Sequence, residues 1–325
     1  MTPQISFIIP AYNAQETLEA AARSVLRQQG AAFELIIVDD GSLDATKAIA
    51  QRLAAENDIV TAITQPNGGT AAALNRGRGA ARGQVIAHID ADDELTEDYL
   101  VKMLQFMSSR PNYDMYTHDL WRVGVDGTKT RVFGATEIRT ITLDQFLVES
   151  NVNGPGTLLR REIVDKVGGY RVGVYNEDYD FWLRALAVGA RLIYYPEPLY
   201  LYHERLGQKT ANRVEVYRSM IEVLENLGCS GALSETQLAT VRASIPHFES
   251  DLLDLNRYGV VMDDFVAQRL HAGAGSLRGW LERVLPSSGV DGALNVIHKV
   301  TWIVRPIRVF LLRTRIRVAA ALKKR

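Results

Sequence analysis

The sequence is most informative first in what it lacks. Its 325 residues include a single cysteine, Cys229, so no internal disulfide can form and a disulfide-stapled secreted scaffold is excluded. No run approaches the roughly 18 uncharged apolar residues that a spanning helix needs. The opening MTPQISFIIPAY has no basic region or small-residue cleavage site, and Pro10 cuts its apolar stretch, so no secretory leader is expected. Ten prolines and 25 glycines are too few for a collagen-like or low-complexity chain, and 47% hydrophobic with 23% charged residues is ordinary globular composition. The last scarcity is local: no Asp or Glu follows Asp291. Residues 1–291 hold 28 basic and 38 acidic side chains, for −10, whereas nine basic residues give 292–325 a charge of +9. The overall net charge of −1 therefore hides an acidic body and a basic tail.

At roughly 150 residues per domain, two domains are expected. Residues 5–10, 33–39, 59–64 and 85–90 are near-continuously apolar, as strands buried on both faces of a parallel sheet are. Between them, residues 16–29, 44–57 and 70–81 have helix-forming composition, with Asp44 and Thr70 placed as N-caps. This alternation predicts a doubly wound α/β sheet with right-handed crossovers. In such sheets ligands bind outside the carboxyl ends of the strands, so the polar clusters that follow the four strands should face one crevice. From about Tyr113, hairpin-like strands with a turn at Asp126-Gly127 predict a mixed extension of the sheet, followed by a helix over 177–188 and a strand over 191–195. Beyond about Thr210 helical periodicity takes over. The expected organisation is an α/β domain over 1–210 and a helical region over 211–325.

Four clusters carry candidate chemistry. Asp90-Ala91-Asp92 ends the fourth strand; carboxylates at i and i+2 suit Mg²⁺ or Mn²⁺, which take one or two carboxylates plus phosphates, although an acidic helix-capping loop has the same composition. Asp39 ends the second strand, free to meet a base or a ribose hydroxyl or else part of a strand-to-helix turn through Gly41 to Asp44. Asn67-Gly68-Gly69 and Arg76 offer amides and a guanidinium to phosphates, or form a loop and an arginine-bearing surface. Glu177, Asp178 and Asp180 open a helix, where the macrodipole favours acids by about 0.3–1 kcal/mol each. The surrounding Tyr175, Tyr179, Phe181 and Trp182 would also suit a wall for a sugar around a partly dehydrated base, and Gly168-Gly169-Tyr170 supplies an adjacent loop.

Taken in order, SFIIPAYN, VDDGSLDAT, the NGG–LNRG stretch, HIDADDEL, LLRRE–VGGY and NEDYDFWLRAL resemble the motifs of family 2 glycosyltransferases over residues 5 to about 205. The resemblance implies the GT-A fold, a Rossmann-like mixed sheet, and an inverting, metal-dependent hexosyltransferase. It implies that Pro10, Ala11, Tyr12 and Asp39 flank the nucleoside, with Asp39 on the base, and that Asn67, Arg76 and Ala91 complete the nucleotide-sugar site. Asp90 would approach ribose or metal, Asp92 would coordinate Mn²⁺ or Mg²⁺, and Asp178 would be the catalytic base. His203 would add a metal or phosphate contact, although His203-Glu204-Arg205 departs from any one standard pattern. The acceptor would lie near Gly168, Gly169, Tyr170, Glu177 and Trp182. The implied donor is a nucleotide diphospho-sugar, with UDP favoured, and the acceptor a hydroxyl of a glycan or lipid-linked glycan in cell-envelope polysaccharide biosynthesis.

No Q-x-x-R-W signature of processive synthases occurs, so one or a few sugars per acceptor are expected. A nucleotidyltransferase of similar fold should carry a glycine-rich, lysine-bearing loop after the first strand, and PAYNAQETL has none. A non-enzymatic, membrane-docked interaction protein is the remaining rival. For it and for the enzyme alike, residues 299–325 sort at 100° per residue into an apolar side with Ile303, Ile307, Phe310 and Leu311 and a basic side with Arg305, Arg308 and Arg315. Such a helix fits an anionic membrane interface, each basic residue contributing about 1 kcal/mol; packing on the acidic body or on a dimer mate is the alternative. No basic-aromatic module accompanies it, so no nucleic-acid partner is expected. The expected location is the cytoplasm, peripheral at the inner face of the cell membrane.

Overall fold

A computed structural model describes residues 3–148, 152–205, 208, 212–246 and 248–249. The basic amphipathic segment 299–325 lies outside the described residues. The four apolar runs become β1 (Ile5–Ala11), β2 (Phe33–Asp39), β3 (Val60–Thr64) and β4 (Val85–His88). They are joined by α1 (Leu18–Leu26), α2 (Thr46–Glu56) and α3 (Thr70–Ala80). Then follow β5 (Glu94–Leu95), α4 (Tyr99–Ser109), β6 (Met115–Val123), β7 (Lys129–Arg131), β8 (Arg139–Ile141) and α5 (Leu143–Val148). The chain continues with β9 (Leu158–Arg160), α6 (Arg161–Val167), α7 (Glu177–Ala187), β10 (Leu192–His203) and α8 (Arg213–Cys229).

The sheet order is β3-β2-β1-β4-β9-β6-β10-β5, with β7 beside β6 and β8 beside β10. Strands β1 to β4 are mutually parallel, and β9 runs antiparallel between β4 and β6, so the sheet is mixed. Strand β10 lies parallel to β6 from Leu192 opposite Met115 to His203 opposite Val123, with register shifts around Pro198. It is much longer than the strand expected over 191–195. Its extra length carries Tyr200 and His203 to the edge where β1, β2 and β4 end. All ten strands and α8 lie in one compact unit ending at Leu233; among the described residues, Leu147, Val148 and those from Ser234 onward belong to a second. Within that second unit, the Ser244 hydroxyl donates to the Leu147 carbonyl. Among the described residues no helix is long and apolar enough to cross a membrane.

The cap positions differ from expectation. Gly69, at φ +82°, precedes α3, and Thr70 is its first helical residue; Ala45 precedes α2. Asp44, one residue further out, still accepts the first α2 amide, the Thr46 N–H at 2.9 Å, and also the Gln15 N–H at 3.1 Å.

Helix α3 rests directly on β1 and β2. A Cβ added at Gly77 would come within 2.4 Å of Ile8 Cγ2 and 3.3 Å of Val38 Cγ2. Alanine gains up to about 1 kcal/mol of helix propensity, but overpacking against buried strands costs about 1–3 kcal/mol. Gly77→Ala is therefore expected to lower stability in urea unfolding; an unchanged or higher midpoint would show that the sheet yields at this contact.

Candidate active site

The ends of β1 and β2 are tied together. Ala11 and Asp39 stand opposite each other, and the Asp40 N–H donates to the Ala11 carbonyl at 2.8 Å. Beyond them the two loops interlock: the Asn13 N–H donates to Ser42 Oγ and the Leu43 N–H to Asn13 Oδ1. Asn13 takes a left-handed φ of +48° to do so. Pro10 is half-buried beside this junction, and Tyr12 stands 48% exposed above it. Asp39 itself is 1% exposed. Its Oδ1 accepts the Ser42 N–H at 3.2 Å, while Oδ2 is buried with no hydrogen-bond partner. A buried acceptor left unpaired costs about 1–3 kcal/mol, which a ligand donor at this point would recover.

The next loop corrects an expectation. The Gly68 and Gly69 amides do not await phosphate: both donate to Asp40, at 2.9 and 2.8 Å, and Gln65 Nε2 donates to the same carboxylate at 2.8 Å. Gly41, at φ +73°, allows the close approach, since a Cβ there would lie 2.8 Å from the Asn67 nitrogen. Asp40 thus clamps the loop, while Asn67 and Arg76 remain exposed on its outer side and on α3.

After β4, the Asp90 N–H donates to the Tyr200 hydroxyl at 3.2 Å. Asp93 is buried and accepts the His203 N–H at 2.8 Å. Burial, with the charges of Asp90 and Asp92, pushes the Asp93 carboxyl up to about 9, so it is a neutral anchor at pH 7. Ala91 packs partly into the core, and half-exposed Asp92 accepts from Gln208 Nε2 at 3.3 Å. Gln208 Nε2 also donates to the His203 carbonyl at 2.7 Å. His203 Nε2 lies 3.2 Å from Glu94 Oε1 in an orientation that makes no hydrogen bond. Strand β10 therefore does bring His203 to the acidic loop.

Asp90 and Asp92 bring two carboxylates together in one short loop, a concentration of negative charge that a divalent cation would relieve. Carboxylate oxygens suit Mn²⁺ or Mg²⁺, and an added imidazole nitrogen favours the softer Mn²⁺ of the two. Among the described residues no three His, Cys, Asp or Glu side chains enclose an ion unaided. The donors present fit an ion that takes most of its ligands from phosphates and water.

The last part is the loop before α7. Asn75 of α3 holds Tyr170 by both backbone groups: Oδ1 accepts the Tyr170 N–H at 3.0 Å and Nδ2 donates to its carbonyl at 2.7 Å. Gly168 closes α6 in the left-handed region, and Gly169, at φ +79°, leaves no room for a side chain, because a Cβ would meet Asn75 Oδ1 at 2.4 Å. Arg184 secures the same turn through the Val167 and Gly169 carbonyls while pairing with buried Asp180. Tyr170 stacks on Phe181, and its hydroxyl lies 3.3 Å from His88 Nδ1. Burial holds His88 down to about 4, hence neutral. Burial, with the Asp178, Glu177 and Asp90 carboxylates, raises the Tyr170 hydroxyl above its ordinary range. This one ring thus feels carboxylates from both the β4 and the α7 sides.

Asp178 is half-exposed in the first turn of α7, its Oδ1 accepting the Tyr179 N–H at 2.7 Å. Glu177 is buried beside it. The expected aromatic wall is not there: Phe181 and Trp182 are core residues, Trp182 being 3% exposed and edge-on to Phe181, and Tyr179 stacks on Phe146. Only Tyr175 is half-exposed. Asp40, Asn75, Tyr200 and Gln208 support the candidate site without having been singled out, and Asp93 stood out only as the end of the acidic run. The Asp39-Asp40 doublet was the other available signal, since the rest depend on contacts across 95 to 116 residues.

A doubly wound sheet with a carboxylate after β2, an acidic triplet after β4 and an acidic helix start is the architecture of nucleotide-sugar-dependent GT-A transferases. The chain belongs to glycosyl transferase family 2, whose family model matches residues 6–168. The succinoglycan biosynthesis protein ExoO of Rhizobium meliloti (strain 1021) is 32% identical over 63% of this chain and 62% of its own length. Among solved structures, S. aureus TarS 1-349 in complex with UDP-GlcNAc superposes with a TM-score of 0.61 at 19% identity, over 75% of this chain and 71% of that one. The mannosyltransferase PcManGT from Pyrobaculum calidifontis, in complex with GDP-Man and Mn²⁺, gives 0.59 at 19% identity, over 99% and 87%. At that identity the structures establish the fold.

Proposed function

We propose that the protein is an inverting, non-processive glycosyltransferase moving one sugar from a nucleotide diphospho-sugar, UDP favoured, to a hydroxyl of a glycan or lipid-linked glycan. The observation that carries this reading is Asp39 Oδ2, buried and unpaired at the end of β2. A ring N–H of the base is the donor it lacks. Pro10, Ala11 and Tyr12 would flank the nucleoside, and Asn67, Arg76, Asp90 and Ala91 would face ribose and phosphates. Asp92 and His203 would hold Mn²⁺ or Mg²⁺, which when bound supplies charge neutralisation at the departing diphosphate. Asp178 accepts the proton of the acceptor hydroxyl, whose oxygen attacks the anomeric carbon from the opposite face, so a single displacement inverts that centre. Asp93, Tyr200 and Asn75 keep these parts in register.

ExoO's role in succinoglycan biosynthesis favours an envelope glycan as acceptor. We place the transferase domain in residues 1–210, with α8 packed into the same compact unit, and a helical region in 211–325, whose basic segment would rest on the inner face of the cell membrane. Flotation with anionic liposomes should fall when the chain ends near Pro286, and equal flotation removes this membrane assignment.

The donor assignment is tested by thermal shift with UDP, GDP, TDP and CMP derivatives, each with and without Mn²⁺. A ligand at 100 times its dissociation constant stabilises by about 2.7 kcal/mol. One nucleotide should give that shift only with metal, and Asp39→Ala should abolish it. No metal-dependent shift with any nucleotide would sink the donor site.

A further inference from the structure

A cavity of about 550 Å³, within the usual range for small-molecule sites, opens beside the start of α7 and is lined by none of the nucleoside or metal residues above. Its walls come from three places: Gly69 at the start of α3, Tyr175 and Glu177 at the start of α7, and Glu215, Arg218 and Glu222 on α8. Asn176 ties α8 to this point, its N–H donating to Ser219 Oγ at 3.0 Å and its Nδ2 to the Val216 carbonyl at 2.7 Å. The third wall is therefore built into the same compact unit as the sheet.

The charges in the walls are unequal. Three carboxylates face one guanidinium, and Arg218 already pairs with Glu215 at 2.9 Å. A ligand bearing carboxylate or phosphate would meet a net negative lining whose only cation is engaged, and like charges brought together are unfavourable. Neutral hydroxyls, by contrast, can donate charge-assisted hydrogen bonds to the glutamates. Tyr175 adds a half-exposed ring with an apolar body and a polar tip.

We propose that this cavity is the acceptor subsite, that α8 helps set its specificity, and that the sugar it takes is neutral, a hexose or acetamido sugar and not a uronic acid or phosphosugar. The proposal rests on the reading of Asp178 as base, because Glu177 places the cavity next to it.

The test uses the full chain, the donor and metal identified by thermal shift, and octyl glycosides of glucose, galactose, N-acetylglucosamine and glucuronic acid as acceptors. Transfer is expected to at least one neutral glycoside, with kcat/KM at least about tenfold lower for the glucuronide. Glu222→Lys and Glu215→Gln should each raise the acceptor KM about tenfold, as loss of a charged hydrogen bond would, while the nucleotide KM moves less than about twofold. Transfer to the glucuronide at an equal or greater rate, transfer to none of the neutral glycosides, or an unchanged acceptor KM in both variants overturns the proposal. Hydrolysis of the donor by water reports separately on the catalytic reading. If the wild-type chain shows neither transfer nor hydrolysis, that reading fails; if either persists while the acceptor results go against α8, only the subsite fails.

Discussion

Replacing Asp178 with asparagine is expected to slow transfer by about 10²–10⁴-fold, the range a positioned general base supplies. The substitution preserves shape but removes the ability to take a proton. Asn at this position can still accept the Tyr179 N–H that Asp178 Oδ1 receives at 2.7 Å. The start of α7 loses only the macrodipole contribution, about 0.3–1 kcal/mol, and Glu177 and Asp180 remain in that first turn. Fold and nucleotide affinity should therefore survive. The other Asp178 oxygen is closely packed: a Cβ at Gly154 would come within 2.9 Å of Oδ2. A bulkier residue at 178 or 154 would confound the result, which makes asparagine the informative change. Steady-state kinetics should show kcat falling with the nucleotide KM unchanged, the signature of an interaction made only on the way to the transition state. Wild-type kcat in Asp178→Asn would remove the base assignment, whereas no turnover in either protein would favour a docking protein that has kept the fold without the chemistry.

What was legible in the sequence follows from which contacts are local. The residues of β1 and β2 are buried from both faces, so their apolar runs announced strands and bounded them closely. Parallel strands end on one edge, so the polar residues after β1, β2, β3 and β4 stand at the same edge of the sheet, as their order predicts. Strand β10 was seen only in its first third, because Pro196 and Pro198 interrupt its pattern and its register against β6 shifts there. The aromatic stretch on α7 misled because composition was weighed above spacing. Tyr179, Trp182, Leu183 and Leu186 stand at i, i+3, i+4 and i+7, the pattern of a core-facing stripe, and all four are buried. The Gly68-Gly69 amides could be read as meeting phosphate or as a plain loop, because nothing nearby in sequence reveals that Asp40, 28 residues earlier, accepts from them. The Asn75 clamp on Tyr170 spans 95 residues and has no local signature at all.

The largest effect on stability is expected far from the chemistry, at Asp119 on β6. Its side chain has no exposed surface, yet it carries a charge. Oδ1 accepts the Leu120 and Phe133 N–H groups at 2.8 and 3.0 Å; Oδ2 accepts Arg131 Nε at 2.6 Å and the Gly134 N–H at 3.0 Å. Arg131 in turn donates to the Ala135 and Pro196 carbonyls, so one carboxylate fixes the chain after β7 against β10. Burial alone would raise its pKa, but these donors together hold it below the ordinary carboxylate range. Asp119→Ala leaves three N–H groups unpaired and deprives the part-exposed Arg131 of its carboxylate, and should cost about 3–5 kcal/mol. A folded-state pKa below the unfolded value of about 3.9 contributes stability that is fully present at neutral pH and lost as pH falls through the folded value. Urea unfolding should therefore show wild-type stability dropping below about pH 4. Asp119→Asn, which keeps an acceptor but has no proton to bind, should start lower at pH 7 and lose less over the same interval. Parallel pH curves for the two proteins would mean that other carboxylates, such as Glu34 with its Ser6 and Arg82 donors, dominate the acid transition.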